Sequence, residues 1–93
     1  MRKAHGTRTR TDLDWALIMQ RPVTVSYVRA DGAETVRTIE LYDIRETKAG
    51  NIIAKAMDRE TGQARTWRLD RITHYTLHRG RYTVPRPVKE NAR

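Results

Sequence analysis

The sequence predicts a mainly β domain in which one short α-helix precedes five short strands curled into a small barrel. Three observations carry that prediction. Apolar residues recur at helical spacing only before Pro22 and switch to a period of two from Val23 onward. Clusters of turn residues then follow at short intervals, the pattern of a small barrel rather than an open sheet. The chain has 93 residues, 38% hydrophobic and 32% charged, enough for one compact core and too few for two.

Each element has its own signal. Thr11-Asp12-Leu13-Asp14 puts a hydroxyl at a candidate N-cap and a carboxylate three residues later, a capping box with Asp in place of Glu. Leu13, Leu17 and Ile18, joined by Ala16 and Trp15 or Met19, give a helix from about Asp12 to Gln20. Pro22 ends it by disfavouring helical geometry at Arg21. Val23, Val25 and Tyr27 alternate with Thr24, Ser26 and Val28 as a first strand, and Asp31-Gly32 makes a tight hairpin. The second strand is long, about Glu34 to Glu46, and its apolar positions change parity from Ile39 and Leu41 to Tyr42 and Ile44. That shift predicts a bend or bulge near Leu41 and Tyr42. Lys48–Asn51 is a turn, Ile52–Met57 an apolar strand, and Asp58–Gln63 another turn. Arg65, Trp67 and Leu69 alternate with Thr66 and Arg68, Asp70-Arg71 makes a corner, and Ile72–Leu77 is the fifth strand. Val25, Tyr27, Ile39, Ile53, Trp67 and Leu69 are the expected core, with Leu13 and Leu17 covering one open end.

Charge separates the chain into three parts. The net charge is +8. Residues 1–10 carry Arg2, Lys3, Arg8 and Arg10 without an acid, and residues 79–93 carry five basic side chains against Glu90, whereas 11–78 is balanced. The expected organisation is a basic flexible arm over 1–10, a barrel domain over 11–78, and a basic tail with Pro85 and Pro87 over 79–93. Such tails attract nucleic-acid phosphate, or serve only solubility. Fifteen Arg against four Lys fit phosphate recognition and equally the codon usage of a GC-rich genome. Zero Cys excludes a disulfide framework, a thiolate zinc site and a Cys nucleophile, and fits a cytoplasmic protein. No apolar run is long enough to span a membrane.

Little in the sequence supports catalysis. His74 and His78 have ligand-like spacing for a helix but fall on a predicted strand, where four residues span roughly 13 Å. Glu40 and Asp43 lack an enclosing pocket, the lone Ser26 lacks triad partners, and the single glycines form no phosphate loop. Neither a metal nor a cofactor is expected, and the domain is read as non-enzymatic. What remains is Arg65-Thr66-Trp67-Arg68-Leu69-Asp70-Arg71-Ile72. Arg65 beside Trp67 would hold a phosphate next to a stacked base; alternatively, Trp67 and Leu69 are core, Arg68 is solvated and Asp70 pairs with Arg71 or caps the corner.

These residues resemble the WYL domain, a small Sm-like or SH3-like barrel found in bacterial and phage regulators. The similarity runs from an Ala-x-x-x-x-Arg-x-Val junction (Ala16, Arg21, Val23) through Tyr27, the Asp31-Gly32 turn and Arg37-x-Ile39. It is strongest at Arg65-x-Trp67-Arg68-x-Asp70-Arg71-Ile72, similar to the family's Arg-x-Phe-Arg-x-Asp-Arg-Ile signature. By spacing, the Trp-Tyr-Leu triplet falls at Asn51-Ile52-Ile53, and the family's usual Pro after the Arg-x-Val step is Leu41 here. The resemblance implies a five-stranded barrel that senses a ligand in transcription regulation, with nucleic-acid oligomers as effectors and usually a winged-helix reader in front. A ten-residue arm and one helix are too short for that reader, so a stand-alone module is expected.

The expected function is therefore a module that binds a nucleic acid, in single-stranded form, or a nucleotide. Its candidate site is Arg65, Arg68, Arg37 and Lys55 on three successive strands, with Tyr27 as a stacking partner. The competing reading is a protein-interaction or homo-oligomerisation adaptor acting through barrel edges. Loss of affinity with salt distinguishes the two. Removal of both tails is expected to leave a folded, near-neutral barrel.

Overall fold

The alternation that begins at Val23 becomes an antiparallel sheet in the computed structural model, which describes residues 1–80. In chain order the elements are β1 (Arg2–Lys3), α1 (Gly6–Met19), β2 (Val23–Val28), β3 (Glu34–Glu46), β4 (Ile52–Asp58) and β5 (Ala64–Arg68). A 3-10 turn (Leu69–Arg71) then leads to β6 (Ile72–Leu77). The sheet order is β1-β6-β2-β3-β4-β5, so the mainly β class holds, with six strands among the described residues rather than five. No hydrogen-bonded ladder joins β5 to β1 or β6, and the sheet is not closed. It is nonetheless strongly curled. The three-residue 3-10 turn links β5 on one edge to β6 near the other, and three residues reach only about 10 Å.

Register follows from the turns and the bulge. Asp31 Oδ1 accepts the Ala33 N–H at 3.0 Å, and Gly32 takes the left-handed φ of 89° that the β2–β3 hairpin requires. The β3–β4 ladder shifts between Leu41 and Asp43, at the expected bend, so Leu41 and Tyr42 are both buried despite adjacent positions. Leu13, Ala16, Val23, Val25, Ile39, Leu41, Trp67, Ile72 and Tyr75 form the core with Ala54 and Ala56. Tyr27, Leu17 and Leu69 pack against it half-buried. Ile53 is a correction: Ala54 and Ala56 point inward and Ile53 lies on the opposite face. The apolar run from Ile52 to Met57 hides its own parity, and the bulky Trp67 opposite Ala54 leaves room inside only for methyl groups.

The N-terminal segment departs most from expectation. Residues 1–10 do not form an extended arm: Arg2 and Lys3 pair with Tyr75 and His74, and the helix begins at Gly6. Asp12 and Asp14 lie inside α1 and serve as partners rather than caps. Asp12 accepts from Arg2 at 2.8 Å and from the Tyr75 hydroxyl at 2.6 Å, and Asp14 meets Arg10 at 3.2 Å. The helix starts instead where the buried Thr9 accepts the His5 N–H at 2.6 Å through its hydroxyl. Truncation at residue 10 would therefore remove a strand and the first helical turn, not a tether. The buried stripe of α1 is Thr9, Leu13 and Ala16, while Ile18 is 77% exposed. As expected, the helix ends before Pro22, through Gln20 in the left-handed conformation. The expected C-terminal tail lies outside the described residues from position 81 onward.

Candidate functional site

The inner face of the curled sheet carries the core in its middle and charged side chains at one rim. In β2 and β3 the residues of one parity point inward, so Tyr27 follows Val23 and Val25, and Arg37 precedes Ile39. In β5 the inward residues are Trp67 and Arg65, which lie opposite Ala54 and Ala56. These strands meet in a cleft of about 270 Å³ lined by Tyr27, Arg29, Arg37, Asp58, Arg65 and Trp67.

Trp67 is its floor, not a stacking platform. The indole is 5% exposed, with Tyr27 edge-on at 5.1 Å between centroids and 80° between planes. The Tyr27 hydroxyl accepts the Arg68 N–H at 2.9 Å, joining the end of β2 to edge strand β5 where no ladder exists. Of the two readings open for Trp67, burial selects the core. Tyr27 is half-buried with its hydroxyl engaged, so the cleft offers guanidinium groups more than ring faces.

The cations differ in their partners. Arg37 contacts the Glu60 carboxylate and has Nε 3.7 Å from an oxygen of the buried Asp58. Its pKa is raised first by the hydrogen bond to Glu60 and then by that group's charge. Arg29 lies 3.5 Å from Asp31 at the outer end. Arg65 is exposed and donates to the neutral Gln63 amide oxygen at 3.1 Å. Among the described residues no carboxylate stands within ion-pair distance of Arg65.

Tyr27, Arg37 and Arg65 are thus brought together, and Arg68 and Lys55 are not. Lys55 and Arg68 share the opposite face of the β4–β5 hairpin, with Thr66 and Ile53. Arg68 is spent on the corner: it donates to Asp70 at 3.0 and 2.5 Å and to Asn51 Oδ1 at 3.3 Å. The Arg68 hydrogen bond holds the Asp70 carboxyl below its usual range. The four basic positions expected to share one strip cannot do so, because Arg68 and Lys55 have the opposite parity to Arg65 on the β4–β5 hairpin. Arg29 was missed, although it continues the Val23, Val25, Tyr27 parity beyond the strand end.

Other chemistry considered from the sequence is dispersed. Glu40 is buried and accepts from Arg59 at 2.6 Å, and Asp43 pairs with Arg45. His74 neighbours Thr73, whereas His78 meets Thr24 at 2.6 Å. Among the described residues no three His, Asp or Glu side chains are grouped to hold a metal, and no helix is long and apolar enough to cross a membrane. A second recess, of about 630 Å³, lies between the start of α1 and the 3-10 turn, lined by Ala4, Thr9, Asn51, Ile52, Leu69 and Ile72.

The residues quoted for the WYL resemblance have physical roles in this fold. Arg21 closes α1 through its N–H to the Ala16 carbonyl at 2.9 Å and lays its guanidinium over Trp15 at 5.6 Å, while Val23 is fully buried. Trp67, Arg68 and Asp70 build the floor and the corner. Among solved structures, the chain is similar to proteasome accessory factor B/C (PafBC) of Arthrobacter aurescens, with a TM-score of 0.75 and 26% identity. The similarity covers 89% of this chain and 13% of that one, so the chain spans about an eighth of that protein's length. Comparison with curated proteins gives no match. The sequence profile of the WYL domain matches residues 8–77, from the first turn of α1 to the end of β6, and the chain therefore belongs to the WYL domain family.

Proposed function

We propose that this chain is a non-catalytic regulatory module that senses a nucleic acid or nucleotide at the Arg29, Arg37 and Arg65 cleft. One observation carries the reading: three guanidinium groups, from β3, β5 and the residue just after β2, line a single cleft, and among the described residues Arg65 there has only a neutral partner. Guanidinium binds phosphate in two-pronged fashion, and such contacts fix a backbone without reading sequence. A largely buried Trp67 and an engaged Tyr27 leave little stacking surface, so the ligand is held by its phosphates. Kinship with WYL domains, which resemble ligand-sensing parts of bacterial regulators, supports a regulatory role.

The test is fluorescence anisotropy with short single-stranded oligonucleotides at two salt concentrations. Arg65→Gln should weaken binding and flatten the salt slope by about 0.7, the loss of one phosphate contact on a single strand. Arg68→Gln, on the other face, should change binding much less. Equal effects of the two, or none from Arg65→Gln, contradict the assignment.

A second reading has one structural feature behind it: among the described residues the sheet is open and ends in two edges, β1 and β5. An adaptor that pairs a partner's strand with β5 would bind with little dependence on salt, and a Pro at Thr66 would abolish that binding.

A further inference from the structure

A single turn meets both central guanidinium groups of the cleft. Asp58–Gln63 joins β4 to β5, and it presents Glu60 to Arg37 and Gln63 to Arg65. Its backbone is well fixed. The Asp58 N–H donates to the Gln63 carbonyl at 2.9 Å, the Gly62 N–H to the Asp58 carbonyl at 2.7 Å, and Asp58 Oδ1 accepts the Glu60 N–H at 2.8 Å. Gly62 has the φ of 74° that lets the chain reverse there. The two carboxylates at this turn differ sharply. Asp58 is 2% exposed and belongs to the wall, whereas the Glu60 side chain is 66% exposed and reaches Arg37 from solvent.

A carboxylate and a phosphate offer arginine the same charge sign and the same pair of acceptor oxygens. We propose that Glu60 is a built-in competitor of the ligand: its carboxylate holds the anion position on Arg37, and a phosphate of the bound oligonucleotide takes that position by displacing it. The inference rests on the nucleic-acid reading of the cleft and adds how the site is guarded. Glu60 leaves without disturbing the turn, because none of the turn's hydrogen bonds uses its side chain. A lone phosphate must compete with a tethered carboxylate. A chain of phosphates that also engages Arg65 gains a second contact in the same event, so the site favours oligomers over mononucleotides.

The experiment uses the full chain and a fluorescein-labelled single-stranded DNA of about 12 nucleotides, within the usual span of one small binding fold. Glu60→Gln should tighten binding about 3- to 10-fold at low salt, because Arg37 no longer has to give up a carboxylate before it takes the phosphate, and should leave the salt slope within about 0.7 of the parent's, since the same phosphates are engaged. Glu46→Gln, exposed toward the other end of β3, makes the same change in net charge and should give less than about twofold. In an Arg37→Gln background the gain from Glu60→Gln should vanish. Equal gains from the Glu46 and Glu60 variants, or a Glu60 gain that survives loss of Arg37, overturn the competitor role. Arg65→Gln separates this from the underlying reading. If that variant binds like the parent, the cleft is not the nucleic-acid site and both proposals fall; if it weakens binding while Glu60→Gln does not tighten it, only the competitor falls.

Discussion

Trp67→Ala probes the packing on which the cleft is built. The indole is 5% exposed, so substitution removes most of the roughly 150 to 250 Å² that a buried aromatic contributes. At about 25 cal/mol per Å², that is around 4 kcal/mol of lost burial. Loss of the edge-on contact with Tyr27 adds about 0.5 to 1.5 kcal/mol, and partial collapse of the cavity returns some of it. The Trp67 Nε1–H to Ala56 carbonyl separation of 3.5 Å is too long to contribute much. A net loss of about 3 to 5 kcal/mol results, against a total near 5 to 14 kcal/mol for a chain this size. With about 4 to 8 °C per kcal/mol in a small domain, Tm should fall by at least about 12 °C. Trp67→Phe keeps a ring against Tyr27 and should lose well under half as much. Circular dichroism melts of parent and both variants give the answer. If Trp67→Ala melts within two degrees of the parent, Trp67 is not a core residue and the floor assigned to the cleft is wrong.

Three further outcomes follow from the same geometry. Tyr27→Phe removes the acceptor of the Arg68 N–H and should cost about 1 kcal/mol in urea unfolding, with the ring contact intact. Deleting residues 1–3 removes β1 from β6 and should lower Tm by about 4 to 8 °C, the loss of roughly 1 kcal/mol of ladder bonding. Tyr75 is raised above its ordinary pKa, first by burial and then by its hydrogen bond to Asp12. A raised folded value means that its contribution is complete below pH ~10 and is lost as pH rises through the folded value. Tyr75→Phe should therefore be less stable than the parent at pH 7, and the difference should shrink in melts above pH ~10.

Strand positions and turns were legible because alternation and Asp-Gly or Gly-Asn steps act locally. The bulge was legible too, since Ile39, Leu41, Tyr42 and Ile44 cannot all face one core without it. The helix start was not. Residues 5–12 contain no large apolar side chain, so no period marks them, and the contacts that seat this segment, Ala4 against the core and β1 on β6, lie far apart in sequence. For the site, parity placed Arg65 on the side of Trp67, and the structure puts Arg37 on the side of Ile39. The run of apolar residues in β4 gave no parity for Lys55, and the partners of Arg68 lie in the turn at Asn51 and in the corner at Asp70, contacts that only the fold brings together.

The bond between the Tyr27 hydroxyl and the Arg68 amide makes the β4–β5 hairpin a leaf hinged along the β3–β4 ladder. A seam closed by strand pairing opens only when many bonds break together, whereas this one has no ladder and is held by one backbone-amide hydrogen bond, the packing of Trp67 against Tyr27 and the short turn into β6. Hydrogen exchange should therefore reach the Arg68 amide through local opening, well before the amides paired across β2 and β3 exchange by global unfolding. Arg37 belongs to the fixed part and Arg65 to the leaf, so each opening changes the distance between them. A strand whose phosphates spanned both arginines would pin the leaf at one angle, and its arrival would register as slowed exchange at a backbone amide it never touches.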